Sequence, residues 1–113
     1  MNVDQVSLGI TFHHRQGDCF FTDVRAVLGL GDIVDEPTDS RLFLFEDGYQ
    51  IGSPHTGIGL IERDGNGNFS HWDGNLYFST SNNSDPNTNG RSYTVALSNT
   101  RLASGYSGAG AAA

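Results

Sequence analysis

From residue 5 to residue 14 the chain alternates. Val6, Leu8, Ile10 and Phe12 fall on every second position, which predicts a half-buried strand. Arg15-Gln16-Gly17-Asp18 reads as a turn, and the short apolar run Cys19-Phe20-Phe21 as a strand continuation. Thr22 to Leu28, closed by Gly29, fits a two-turn helix near 23–28: Thr22 would cap it, Asp23 would sit at its positive end and Gly29 would stop it. An irregular strand is the alternative there, because so short a helix is only marginal alone. Asp32 to Ser40 is acidic, contains Pro37, and reads as an exposed loop.

The pattern becomes more regular from Arg41. Leu42-Phe43-Leu44-Phe45, Glu46-Asp47-Gly48 and Tyr49-Gln50-Ile51 spell strand, tight turn, strand. Gly52 to Thr56 breaks the pairing. Ile58, Leu60 and Glu62 then alternate as in a further strand, into the turn cluster Asp64-Gly65-Asn66-Gly67-Asn68. Phe69 to Trp72, the turn Asp73-Gly74, and Leu76 to Thr80 form a second hairpin; Ser92 to Leu97 is a last strand. Short strands at this spacing predict an all-β fold, an antiparallel meander forming a small sandwich or barrel. One β domain is expected over 1–102, with 103–113 a flexible tail of small residues. Leu42 to Phe45 is apolar on both parities, so both faces of that strand should be covered, by the fold itself or by another chain.

Composition narrows the function classes. A chain of 113 residues is long enough to bury a core without a disulfide or metal staple. Fifteen Gly, ten Asp and nine Asn make it rich in turns rather than helices. The six basic residues are all Arg, and a formal charge of −7 disfavours a non-specific phosphate-backbone binder, so no nucleic-acid partner is expected. No apolar run approaches the roughly 20 residues that span a bilayer, and no basic start precedes an apolar stretch, so no membrane insertion is expected. The single Cys19 has no partner for an internal disulfide, and no clustered thiols suggest zinc.

The richest chemistry lies in Ser79 to Arg91, a run of hydroxyl, amide and carboxylate side chains at the end of an aromatic strand. Sugars need fixed donors and acceptors for their hydroxyls and an aromatic face for the C–H side of the ring. Trp72 and Tyr77 are positioned in sequence to supply that face, with Asn83, Asp85, Asn89 and Arg91 as polar contacts. The alternative is a solvent loop whose Asn and Asp side chains bond their own backbone. Asp85-x-Asn87-x-Asn89-Gly90 also matches the first half of a calcium loop, so a structural calcium on Asp85, Asn87 and Asn89 is one expectation. The bidentate acid of such loops is missing, since Ala96 stands at its place. No cofactor other than that ion is implied. His13 and His14 are neighbours, and His55 and His71 show no metal or acid–base spacing to one another, so no enzymatic activity is expected.

The run His55 … Phe69-Ser70-His71-Trp72 … Leu76-Tyr77-Phe78-Ser79-Thr80-Ser81 … Ser84-Asp85-Pro86 … Thr88-Asn89-Gly90-Arg91 … Tyr93 resembles a β-rich accessory module flanking bacterial sugar-modifying methyltransferases and glycosyltransferases. The resemblance spans about residues 41–95 and implies a non-catalytic role, binding a glycan or placing a partner domain. It implies a ligand site at His55, His71, Trp72, Asp85, Asn89 and Arg91. These 113 residues are not expected to include a transferase domain, and residues 1–40 match nothing comparable. The leading expectation is a lectin-like carbohydrate-binding module. Its alternative is a self-assembling, homo-oligomeric protein of a bacterial surface or particle. Another structural option is that His71 and Arg91 pair with Asp85 and tie the loop to the sheet. Composition leaves the compartment open between cytoplasm and cell surface.

Overall fold

The structure, a computed structural model, describes residues 6–8, 11–25, 31 and 41–97. Its strands are β1 (Val6–Ser7), β2 (His13–Gln16), β3 (Cys19–Asp23), β4 (Leu42–Glu46), β5 (Tyr49–Ile51), β6 (Phe69–Trp72), β7 (Asn75–Phe78) and β8 (Tyr93–Leu97). One helix, α1 (Ile58–Asp64), separates β5 from β6. Among the described residues the strands form two four-stranded antiparallel sheets and no closed barrel. The first sheet runs β1-β8-β4-β5, the second β2-β3-β7-β6.

Local chemistry makes the hairpins. At Asp47-Gly48 φ is 50° and 84°, and at Asp73-Gly74 it is 47° and 86°. Two successive positive φ angles give the turn whose twist matches that of the strands it joins, and Asp-Gly tolerates them best. Long-range pairs then complete each sheet: β8 against β4 and β1, and β7 against β3.

The core lies between the sheets. Leu42, Leu44, Tyr93 and Val95 of the first sheet face Phe20, Phe69, Leu76 and Phe78 of the second, with Phe12 and Val24 closing the sides. Phe12, Phe78 and Tyr93 form an aromatic triad with ring centroids 5.2–5.7 Å apart; the two Phe12 pairs meet edge to face, at 74° and 80°. Both parities of β4 are covered as expected: Phe43, on the face turned from this core, is 9% exposed and its neighbour Ala96 is 1% exposed.

Three expectations need correction or restriction. Residues 5–14 are not one strand, because β1 joins the first sheet while β2 joins the second, and Phe12 drops into the core between them. Residues 58–64 are a helix rather than a strand. In so short a run the two periods overlap, since Ile58 and Ile61 stand at i and i+3 and Ile61 is the residue the helix buries. Of the helix expected near 23–28, Asp23 belongs to β3, Arg25 is helical, and residues 26–28 lie outside the described residues, as do the 32–40 loop and the 103–113 tail.

The helix packs across β3, β6 and β7 on the outer face of the second sheet. Ile61 is fully buried, as is Cys19, the β3 residue that alternates outward. The β2–β3 turn closes onto the helix end. Asp18 N donates to the Glu62 carbonyl at 3.0 Å, and Gly17, at φ 54°, leaves no room for a Cβ against that carbonyl.

Candidate functional site

Glu46 ends β4 on the inward parity set by Leu42 and Leu44, so its carboxylate enters the end of the sandwich. The 79–92 loop closes over it. Tyr93, directly opposite on β8, donates its hydroxyl at 2.7 Å, and the Ser81 backbone N–H donates at 3.2 Å. The Ser81 hydroxyl and Arg91 Nη1 complete the shell, Arg91 at 3.3 Å. Burial by itself would raise the Glu46 pKa; the bonds from Ser81 and Tyr93, with the Arg91 charge, outweigh it and hold the carboxyl below its ordinary value. Burial and the bond to Glu46 push the Tyr93 phenol up.

The remaining polar residues of the loop brace the same structure. Asn89 Nδ2 donates to the Tyr93 hydroxyl at 2.9 Å and to Ser84 Oγ at 3.0 Å, while its Oδ1 accepts Arg91 N at 2.9 Å. Asn87 clamps the backbone of Phe12 from both sides, accepting its N–H at 2.7 Å and donating to its carbonyl at 2.8 Å. Asp85 Oδ1 caps Asn87 N at 2.8 Å. Asn83 Oδ1 accepts Asn66 N at 2.7 Å, tying the loop to the turn after α1. The oxygens of Asp85, Asn87 and Asn89 thus each accept a different backbone N–H. Among the described residues, no group of three His, Cys, Asp or Glu side chains is arranged to hold a metal ion. The carboxylate that receives Arg91 is Glu46 rather than Asp85.

The other expected site residues stand elsewhere. Trp72 pairs with Asn75 beside the β6–β7 turn, whereas the loop departs beyond Phe78 at the opposite end of β7. At about 3.3 Å per residue, that strand sets them on the order of 10 Å apart. His71 alternates inward, is 2% exposed, and has Gly31 packed against its ring. His55 lies in the 53–56 segment that bonds to the backbone of Phe69, with a positive φ of 57°. The eight expected ligand residues therefore divide: Asn83, Asp85, Asn89 and Arg91 belong to the braced loop, His71 and His55 to separate positions, and Trp72 and Tyr77 to the outer face of the second sheet.

That outer face has two halves. The helix covers the end holding Cys19; the other end carries side chains that are partly buried. Across it run His13, Phe21 and Tyr77 of three adjacent strands, with ring centroids 5.2 Å and 5.7 Å apart. Trp72 and Asn75 lie on the same face by register, all but His13 half-buried, and Asn75 Nδ2 donates to the Tyr77 hydroxyl at 3.3 Å. The Arg15 guanidinium sits 5.7 Å from the Tyr77 ring centroid while its Nε donates to Glu62 at 2.8 Å. Arg25, at the turn end, donates Nη2 to the Asp73 carbonyl at 3.0 Å and lies against Gly74.

Sequence reasoning missed Glu46, which looked like part of a turn; its parity with Leu42 and Leu44 is the signal that predicts an inward carboxylate. It also missed His13, Arg15, Phe21, Arg25 and Asn75, because their meeting depends on β3 pairing with β7. No family model, curated protein or solved structure matches the chain.

Proposed function

We propose that this domain is a non-catalytic, lectin-like glycan-binding module whose binding surface is the half of the second sheet's outer face beside the β6–β7 turn. The observation that carries the reading is the contiguous strip of partly buried aromatic side chains, Trp72, Tyr77 and Phe21, interleaved with the anchored polar groups of Asn75 and Arg15. Aromatic groups supply contact for the C–H faces of sugar rings, and polar groups already held by neighbours lose little freedom on binding. The resemblance of residues 41–95 to accessory modules of sugar-modifying enzymes is part of the same proposal. In it the 79–92 loop is a structural brace, since its amides and hydroxyls are engaged with one another and with Glu46.

A glycan array probed with the purified protein, with calcium and again with chelator, tests the reading. Specific binding that Trp72→Ala removes, with a cooperative melt retained, is the expected result. Chelator sensitivity would return a cation to the Asp85 loop. Silence across the array from a well-folded sample would overturn the proposal.

The second reading, self-assembly, draws on Tyr49, which is 78% exposed on the edge strand β5, and on Leu97 and Val6, 41% and 38% exposed. A concentration-independent monomer by light scattering would remove it.

A further inference from the structure

Little secures helix α1 to the sandwich. It has seven residues, Gly57 at its N-cap makes no side-chain cap bond, and its first turn carries no acid. A helix so short is marginal by itself. Ile61 is its one buried residue, and it lies on the outer face of the second sheet rather than in the core between the sheets; Leu60 is 44% exposed. The face the helix covers is lined with small side chains. Cys19 and Ser79 stand one step past the Phe20–Phe78 pair, Ser70 is outward opposite Tyr77, and all three are buried.

The chain on either side of α1 is fixed. Before it, Thr56 N donates to the Phe69 carbonyl at 3.0 Å; after it, Asn66 N donates to Asn83 Oδ1 at 2.7 Å and Gly67 N to Ser79 Oγ at 3.0 Å. The stretch between carries glycine at 57, 59 and 65, and Gly65 holds φ at 61° where the helix ends. Two bonds from this stretch to the sandwich fall on one residue, Glu62. Arg15 Nε donates to its carboxylate at 2.8 Å and Asp18 N to its carbonyl at 3.0 Å. We infer that residues 57–65 form a lid, which lifts as a unit between the fixed flanks while both sheets stay folded. Local opening of this kind is drawn from segments that bury little apolar surface and are held by exposed bonds. The closed lid seals Cys19, so reaction of that thiol is governed by the lid and not by unfolding of the sandwich.

Cys19 is the only cysteine of the chain, so it reports the opening by itself. The test measures iodoacetamide labelling of Cys19 in the full chain across a urea series, beside the global urea transition. In low urea the rate should be nearly flat, since opening the lid exposes little surface, and should steepen only as the global transition begins. Ile61→Ala should raise the flat rate about tenfold or more. Arg15→Gln, which removes an exposed ion pair, should raise it about two- to fivefold, and it decides the matter if Ile61→Ala fails to fold. Tyr93→Phe, at the far sheet, should lower the global midpoint and leave the flat rate unchanged. A rate that climbs with urea from the start and follows Tyr93→Phe would show that Cys19 meets solvent only by global unfolding, and would overturn the lid. So would a native rate equal to that of the urea-unfolded chain, or a flat rate that neither Ile61→Ala nor Arg15→Gln changes.

Discussion

Tyr93 donates its hydroxyl to the Glu46 carboxylate at 2.7 Å across a directly paired position of β4 and β8, so one rung of the first sheet ends in a buried, charge-assisted bond. That bond joins the aromatic core, through the Tyr93 ring, to the loop, through the carboxylate. Removing either partner leaves the other one bond short. Tyr93→Phe should lower unfolding free energy by about 1.5–3 kcal/mol, the range for a hydrogen bond to a charged group. Glu46→Ala should cost about 3–5 kcal/mol, because Arg91 and the Ser81 donors also lose their acceptor. Urea denaturation of both variants checks the order; equal, sub-kcal/mol effects would contradict the hub.

Acid should unlock the same hub. The folded-state pKa of Glu46 lies below its ordinary value of 4.5, so its contribution is complete above the unfolded-state pKa and is lost as pH falls through the folded-state one. Wild type should therefore lose more stability than Glu46→Gln between pH 5 and pH 3. Parallel urea midpoints for the two proteins across that window would show that another carboxylate governs.

Asn87 reads in sequence as a calcium ligand and acts in the structure as a clamp on Phe12. The two roles predict opposite outcomes for Asn87→Asp. A carboxylate would face the Phe12 carbonyl without a donor, so stability should fall by about 1–3 kcal/mol. A melt raised by calcium in that variant would instead favour the ion.

Burial, reinforced by the Glu62 charge, pushes the Cys19 thiol up to about 11. Little thiolate then exists near neutral pH. Alkylation by iodoacetamide at pH 8 should be suppressed about 100-fold or more relative to the urea-unfolded chain. Rapid labelling of the native protein would show that the helix does not seal this face.

The hairpins were legible residue by residue. Asp47-Gly48 and Asp73-Gly74 specify turns through local backbone preference, and the apolar runs on either side specify strands. The strands were legible but their core face was not in β4, since Leu42 to Phe45 is apolar on both parities and only packing against the second sheet turned Leu42 and Leu44 inward. Residues 58–64 were misread for a physical reason: seven residues are too few to separate a period of 2 from one of 3.6, and docking on the sheet decides between them.

The polar loop was also legible as a place of dense hydrogen bonding, but not the partners of its side chains. Beside bonds within the loop and to Asn66, those partners include Glu46, Asp47 and Phe12, between 35 and 75 residues away along the chain. Local sequence therefore determined which segments turn and which of the hairpin segments extend, because those follow from backbone preference and from exclusion of apolar groups from water. Only the tertiary structure decided that Glu46 lies beneath the 79–92 loop, and that Phe21, Tyr77 and His13 share one face. Those relationships are set by the pairing of distant strands, and its register is a property of the packed sandwich rather than of any one segment.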